Sequence, residues 1–157
     1  MLKRATRNKG FSLLELVVVV VIIGIIAAVA IPRLSRGSAG AADAALSGNL
    51  AVLRNSIDLY SAEHSGAFPQ STAIEDALLK YSDSSGNISD TKDTTHIYGP
   101  YVRKIPPLPV GAKKGKTKID ALDGDDVGWI YTASTGDIRA NTTDTEKDES
   151  GKKYSDY

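Results

Sequence analysis

The sequence predicts an α+β fold in which a long N-terminal helix, apolar in its first half, packs its second half on a small antiparallel sheet. Two observations predict the helix: an unbroken apolar run over residues 16–31 and a helical stripe of apolar residues beyond it. Two β-rich runs late in the chain, separated by a short turn, predict the sheet. With 157 residues, the chain has room for one modest domain besides the apolar segment.

The N-terminus combines a basic stub with an apolar segment. Residues 1–10 carry four basic and no acidic residues, and residues 16–31 contain only Leu, Val, Ile, Ala and Gly. This order is typical of chains addressed to a bacterial inner membrane with the positive end in the cytoplasm. Residues 11–31 would span about 31 Å as a helix, enough to cross a bilayer. An ordinary signal peptide cut after Ala28-Val29-Ala30, or a plain anchor, are the alternatives.

Glu15 is the unusual residue of this segment. A carboxylate at the bilayer centre costs roughly 2.5–3.5 kcal/mol on insertion scales, so it needs a partner. A cut between Gly10 and Phe11 would create an α-amine four residues away. Pairing Glu15 with such an amine would neutralise both charges, and breaking a buried pair costs about 3–5 kcal/mol. The competing interpretation is a carboxylate that reaches out to the cytoplasmic interface.

The run Lys9-Gly10-Phe11-Ser12-Leu13-Leu14-Glu15-Leu16 resembles the class III signal of type IV pilins and of type II secretion pseudopilins. The resemblance implies that a prepilin peptidase cuts after Gly10, that the new N-terminal Phe11 is N-methylated, and that Glu15 guides assembly. Neither alternative explains Gly10-Phe11 followed by Glu15. The resemblance is specific for about the first 60 residues.

The helix is predicted to continue beyond Pro32. Apolar residues recur at helical spacing: Ala39, Ala42, Leu46, Leu50, Leu53, Ile57 and Tyr60. The pattern fits one helix from about Phe11 to Glu63 or two helices broken near Pro32, since proline removes a helix hydrogen bond. The family resemblance implies one curved helix, softened at Gly24 and Pro32. The predicted organisation is a cleaved leader, a transmembrane and filament-core helix, its amphipathic continuation, and a globular region: residues 1–10, 11–32, 33–63 and 64–157.

The globular region is predicted to open with a short helix. Residues 66–69 end the long helix, and Thr72-Ala73-Ile74-Glu75 has the pattern of a capping box that opens a helix through Tyr81. Residues 82–95 read as an exposed loop. The proline-rich run 105–109 excludes a central strand.

The predicted strands are residues 128–132 and 137–141, joined by a turn at 133–136. On the first strand, Trp129 and Tyr131 would share one face and Ile130 the other. Residues 142–157 are charged and nearly free of aliphatic side chains, which predicts a surface tail or disorder.

Calcium is the one cofactor with candidate ligands. Asp123, Asp125 and Asp126 follow Asp120 closely and could offer carboxylate oxygens to Ca²⁺. They lack EF-hand spacing, and solvated turn residues are the competing interpretation. A second source of ligands is the acidic set in the tail: Asp144, Glu146, Asp148 and Glu149. Major pseudopilins commonly use a calcium-bound loop, so the resemblance makes a calcium site one of the expectations for this chain.

Composition narrows the function. Without cysteine there is no disulfide and no thiolate metal site; many type IV pilins carry such a disulfide, which favours the pseudopilin branch. Removing the four basic leader residues from 19 leaves 15 basic against 19 acidic residues, a poor balance for nucleic-acid binding. The basic patch at residues 113–118 reads as a solvated loop. His64 and His96 form no ligand-spaced pair, and each is expected at the surface or in a loop. No catalytic constellation is visible, so we expect no enzyme.

The sequence therefore indicates a structural filament subunit that sits in the inner membrane with its N-terminus in the cytoplasm before assembly. By resemblance its partners are copies of itself, the prepilin peptidase, an inner-membrane assembly platform and minor pilins or pseudopilins. The favoured role is a major pseudopilin for protein export, in a periplasmic filament. The alternatives are a pilin of an extracellular surface fibre and, from another class, a membrane-anchored binding module or enzyme.

Overall fold

The computed structural model describes residues 12–157, and describes the side chains of residues 12–30 and 37–157. The chain forms two compact units, Met1–Ser38 and Ala39–Tyr157. A 51-residue helix, α1, covers Leu13–Glu63 and contributes to both units. The helix continues through Pro32, so it is one element and not two.

The first unit presents an apolar helical surface. Residues 13–30 have a mean hydropathy of 3.1, and none of their side chains is buried within the chain. By length and composition this stretch is able to cross a membrane. Its large aliphatic side chains are left for lipid or for other chains to cover.

The second unit is built on the C-terminal half of α1. The predicted stripe is confirmed from Leu46 to Tyr60, because the residues facing the core recur at helical spacing: Leu46, Leu50, Leu53, Ile57 and Tyr60 are all buried, whereas Ala39 and Ala42 are only partly buried. The helix ends where Ser65 and Gly66 adopt positive φ angles of 57° and 86°. The Gly66 amide then donates to the Ser61 carbonyl at 2.8 Å, which satisfies one of the free carbonyls at the helix end.

A short helix and a small hairpin follow. Helix α2 covers Ile74–Leu79, and strands β1 (Tyr81–Ser82) and β2 (Ile88–Ser89) pair antiparallel. The region expected to be only an exposed loop thus contains a hairpin. The predicted capping box is wrong: the N-cap of α2 is Ala73, with no side-chain cap hydrogen bond.

The main sheet has the order β3-β4-β5, with strands at Lys118–Asp120, Val127–Thr132 and Asp137–Ala140. The β4–β5 hairpin is antiparallel, as predicted, and turns through Gly136 at φ 75°. Strand β3 is parallel to β4, which makes this sheet mixed and not purely antiparallel. The chain must return along the length of β3 before β4 can begin parallel to it. A short connection between the two strands is sufficient, because β3 has three residues and extends only about 7 Å at roughly 3.3 Å per residue.

Strand β4 lies at the centre of the second unit. Its first five residues are buried, including Trp129 and Tyr131, which join the cluster formed with α1. Each aromatic side chain also has a partner for its polar atom: Trp129 Nε1 donates to the Pro106 carbonyl at 2.8 Å, and Tyr131 Oη donates to the Pro69 carbonyl at 2.9 Å. The proline-containing loops therefore cover the core, and residues 105–109 form no central strand, as predicted.

Charged side chains satisfy outward-facing backbone groups at the two edges of this sheet. The Ile119 amide of β3 donates to Glu75 Oε1 at 2.7 Å. At the other edge, Arg54 of α1 donates to the Ile138 carbonyl of β5 at 3.2 Å. Side chains that occupy edge hydrogen-bonding groups make the edges poor templates for adding another strand.

The segment after β5 lies at the surface, which is one of the two predicted outcomes, and it is ordered. Its end forms a 3-10 helix at Tyr154–Asp156, and the Tyr154 and Tyr157 side chains pack against the core cluster. Arg54 Nη2 donates to the Tyr157 carbonyl at 2.6 Å. Composition alone missed this order because the segment contributes few apolar groups and is held mainly by hydrogen bonds.

Candidate functional site: the N-terminal assembly segment

The N-terminus of α1 is closed by a reciprocal pair of hydrogen bonds. The Leu14 amide donates to Ser12 Oγ at 3.2 Å, and the Ser12 amide donates to Glu15 Oε2 at 3.0 Å. This is a capping box, in which the cap and the third helical residue satisfy each other's free backbone groups. The carboxylate also lies at the positive end of the helix dipole, which stabilises its charge.

Glu15 therefore has a role in its own chain that the sequence interpretation did not include. The signal was present, because Ser12-Leu13-Leu14-Glu15 has the S-x-x-E pattern. The Glu15 side chain is exposed among exposed Leu and Val side chains. A carboxylate so placed remains available to a cationic group from another chain, and it already stabilises the start of its own helix.

Gly10 and Phe11, the predicted cleavage position and new N-terminus, lie outside the described residues, as does the side chain of Pro32. Gly24 is within the described helix, and a Cβ built on it would meet nothing within 4 Å. Space therefore does not require glycine at this position. Its predicted contribution to helix flexibility stays a prediction.

The calcium candidates do not form a ligand cluster. Asp123 pairs with the ammonium group of Lys113, and Asp126 Oδ1 lies 2.5 Å from Lys116 Nζ. Among residues 12–157, no group of three or more His, Asp or Glu side chains is placed to hold a metal ion. The pKa values of Asp123 and Asp126 are lowered, in both cases chiefly by the lysine hydrogen bond.

The basic patch and the acidic cluster thus neutralise each other. Lys118 completes the pattern, with its Nζ 2.9 Å from Asp120 Oδ2. The sequence interpretation treated the two groups separately because they are distant along the chain by about ten residues, whereas the loop between them brings them side by side. Three of the four lysines in the patch therefore have carboxylate partners, which reduces the positive charge that the patch presents.

One histidine lies in a turn, as one of the two predicted alternatives had it, but not at the surface. His64 is buried, stacked on Tyr60, with Nδ1 2.7 Å from the Tyr60 carbonyl and Nε2 3.1 Å from Ser82 Oγ. Ser82 is also fully buried, and His64 lines a small cavity of about 170 Å³ together with Phe68 and Gly86.

These features define a class of protein. It is an α+β protein whose exposed N-terminal helix is able to cross a membrane and carries a charged capping residue in its first turn. Residues 5–31 match the family described as the prokaryotic N-terminal methylation motif. That motif is a signature of type IV pilins and pseudopilins, so the match supports a type IV pilin-like family and a filament subunit. No curated protein and no solved structure matches the chain.

Proposed function

We propose that this chain is a structural subunit of a bacterial type IV-like filament. It is made with a cytoplasmic leader, cut between Gly10 and Phe11 by a prepilin peptidase, N-methylated on Phe11 and polymerised through its N-terminal helix. The observation that carries the proposal is the methylation motif over residues 5–31, on a helix whose apolar surface is exposed. The proposal rests on the motif and the exposed helix together, because the motif by itself covers only about a sixth of the chain.

The exposed helix surface must be covered by apolar groups both before and after assembly. Each large aliphatic side chain contributes about 1.5–3 kcal/mol when it passes from water to an apolar environment. Leu13 is 80% exposed and Leu14 is 72% exposed, and the aliphatic residues that follow are also exposed. Lipid covers this surface before assembly, and the helices of neighbouring subunits cover it in the filament. Residence in the inner membrane and polymerisation therefore both keep the apolar surface of the helix away from water.

Glu15 supplies the register. In a bundle of apolar helices, its carboxylate pairs with the α-amine of Phe11 from an adjacent subunit, and only one axial alignment brings the two charges together. The capping box holds the Glu15 side chain at the helix N-terminus, on the level where the neighbour's amine must arrive. Assembly also uses an inner-membrane platform and minor subunits of the same kind.

Within this family we place the chain first among major pseudopilins of type II secretion, acting as a periplasmic filament in protein export. The lack of cysteine supports this choice. The second candidate is a pilin of a surface fibre for adhesion, motility or DNA uptake. It is favoured by the arrangement of Asp123, Asp125 and Asp126, which form no calcium-ligand cluster of the kind that the pseudopilin resemblance implies.

We further propose that the chain has no catalytic activity of its own. The Ser82 and His64 side chains are both buried and are hydrogen-bonded to each other at 3.1 Å. This supports a structural role and weighs against the third class of function, a tethered enzyme.

The test is N-terminal sequencing and intact-mass measurement of the protein recovered from membranes. A chain that begins with methylated Phe11 supports the proposal. A chain that begins at Ile31 indicates ordinary secretion, and an uncut chain in cells with active prepilin peptidase indicates a tethered monomer. A deletion strain then separates the two candidates: loss of exported proteins indicates the secretion filament, and loss of surface fibres indicates the pilin.

A further inference from the structure

The outer face of α1 in the second unit is exposed and uncharged. Its residues recur at alternating steps of four and three, and they lie opposite the buried stripe because each residue turns the helix by about 100°. The two largest side chains of this face are about half exposed, Val52 at 49% and Leu59 at 50%. The face of a surface helix that points away from its core usually carries charged or polar residues. We call this set of exposed residues the outer seam: Ala41, Ala45, Gly48, Val52, Asn55, Leu59 and Ala62.

The spacing of the outer seam favours a second helix as its partner. A mean step of about 3.5 residues is the spacing at which two helices keep one seam in contact along their length. The small side chains of the seam allow a close approach, because the distance between packed helices depends on the side chains at the contact. A Cβ built on Gly48 would meet nothing within 4 Å, so the space beside it is open to a partner's side chain. The charged residues Asp43, Arg54 and Asp58 lie off the seam, so a partner held by charge finds no counter-ion on it.

A second copy of this chain supplies such a helix in the required orientation. This step rests on the proposed function, under which every copy sits in the inner membrane with its N-terminus in the cytoplasm. The bilayer then holds residues 13–30 of each copy at the same depth, so two α1 helices run parallel and their seams lie level. In the sequence, Ile31, Leu34 and Ser38 continue the spacing of the seam towards the apolar segment. The carboxamide of Asn55 is both donor and acceptor, so the Asn55 side chain of a level partner is able to satisfy it.

We infer that two membrane-resident copies of this chain pair through their outer seams before assembly, with the helices parallel and in register. Val52 then lies opposite Val52 of the second copy, and Leu59 lies opposite Leu59. The pairing removes from water an apolar face that the fold of a single chain leaves uncovered. It is a state that precedes the filament, because successive subunits of a helical filament are offset along its axis and their seams no longer lie level.

The test is cysteine cross-linking, for which the chain is suited because it has no cysteine of its own. Single-cysteine variants of the full chain are oxidised in membranes of cells that have the prepilin peptidase but lack the assembly platform, and the disulfide-linked dimer is measured on non-reducing gels. A disulfide needs Cα atoms within about 7 Å of each other. Val52→Cys and Leu59→Cys should therefore form dimer several times faster than the matched controls Ser47→Cys and Asp58→Cys, which are exposed on the same helix but off the seam.

A charge placed on the seam gives the second arm. In the Val52→Cys chain, adding Leu59→Lys should abolish the dimer, because two like charges would meet without a partner, whereas adding Asp58→Lys should leave it in place. Both positions are exposed, so the fold of the second unit should tolerate either change.

The results that would overturn the pairing are distinct from those that would overturn the proposed function. Equal dimer at seam and control positions, or no dimer at Val52→Cys and Leu59→Cys, would overturn the pairing. So would a cross-link that forms only between Val52→Cys on one copy and Leu59→Cys on the other, because it indicates a staggered contact. The intact mass of the same samples tests the proposed function separately: an uncut chain contradicts that proposal whatever its cross-linking, and a chain that begins at Phe11 but forms no dimer contradicts only the pairing.

Discussion

Replacing Glu15 removes two interactions at once, and the structure shows how to separate them. The carboxylate caps its own helix by accepting the Ser12 amide, and under the proposed function it also pairs with a charge from an adjacent subunit. Glu15→Ala deletes both. Glu15→Gln keeps an oxygen that accepts the Ser12 amide, because Glu and Gln both serve in capping boxes, and removes only the charge. Ser12→Ala removes the hydroxyl that accepts the Leu14 amide and leaves the charge in place.

The two contributions differ in size. Loss of a cap costs about 0.5–2 kcal/mol, which corresponds to a factor of roughly 2 to 30 in an equilibrium constant. Loss of one partner of a buried ion pair costs about 3–5 kcal/mol, or roughly 150- to 5,000-fold. Because the second range is larger, Glu15→Gln should lose nearly as much assembly as Glu15→Ala. Ser12→Ala should lose far less.

The assay is the fraction of processed subunit recovered in sheared filaments, compared with the fraction retained in the membrane. All three variants should insert and be cut, since residues 13–30 are unchanged except at Glu15 and remain apolar enough to span the bilayer. Membrane-bound, processed subunit should accumulate in both Glu15 variants. Equal processing in all three keeps a defect in assembly distinct from a defect in cleavage.

One pattern of results would refute the charge-pairing argument. If Glu15→Gln assembles like the unaltered protein while Glu15→Ala and Ser12→Ala fail, then the helix cap is the contribution that matters. Normal assembly of Glu15→Ala would remove both roles.

Three further predictions concern the second unit. Leu53→Ala should lower the free energy of unfolding in denaturant titrations by about 2–5 kcal/mol, because Leu53 is fully buried, whereas its 49%-exposed neighbour Val52 should tolerate alanine within about 0.5 kcal/mol. Glu75→Ala should cost about 1–3 kcal/mol and speed exchange of the Ile119 amide, which loses its acceptor. The pKa of Asp148 is lowered to about 2, first by the hydrogen bond from the Tyr157 hydroxyl, so the order that this carboxylate confers is present above its ordinary pKa near 3.8 and is lost as the pH falls through about 2.

Each of these has a defined contrary result. Equal losses in Leu53→Ala and Val52→Ala would mean that the stripe does not face the core. Unchanged exchange at Ile119 in Glu75→Ala would mean that another group covers the edge of β3. The Asp148 prediction is measured by the amide NMR shift of Ser150, whose N–H donates to that carboxylate at 2.8 Å. A titration midpoint near 3.8 would contradict the hydrogen-bonded arrangement.

Features that depend on periodicity were predictable. The stripe from Leu46 to Tyr60 and the hairpin of β4 and β5 follow from spacings of three to four and of two residues, which neighbouring positions determine by themselves. The apolar segment is a matter of composition. The motif around Gly10 and Glu15 is likewise local, and the family match over residues 5–31 supports it.

Features that depend on distant partners were not predictable. The parallel pairing of β3 with β4, the buried position of His64 and the order of the C-terminal segment all rest on contacts between parts of the chain that the sequence does not align. The carboxylates suggested for calcium illustrate the difficulty. Their number was visible in the sequence, but the lysine that meets Asp123 was identified only once the loop was folded.

The two capping patterns of this chain separate what the sequence determined from what the tertiary structure decided. Ser12 to Glu15 and Thr72 to Glu75 carry the same local signal. At Glu15 no distant group from the described residues competes for the carboxylate, and the box forms. At Glu75 the amide of Ile119, 44 residues away, takes the carboxylate instead, because an unpaired amide at a part-buried sheet edge costs more than an uncapped helix turn. The sequence by itself determined the apolar helix, its motif and its stripe; only the folded chain decided which partner each charged side chain received.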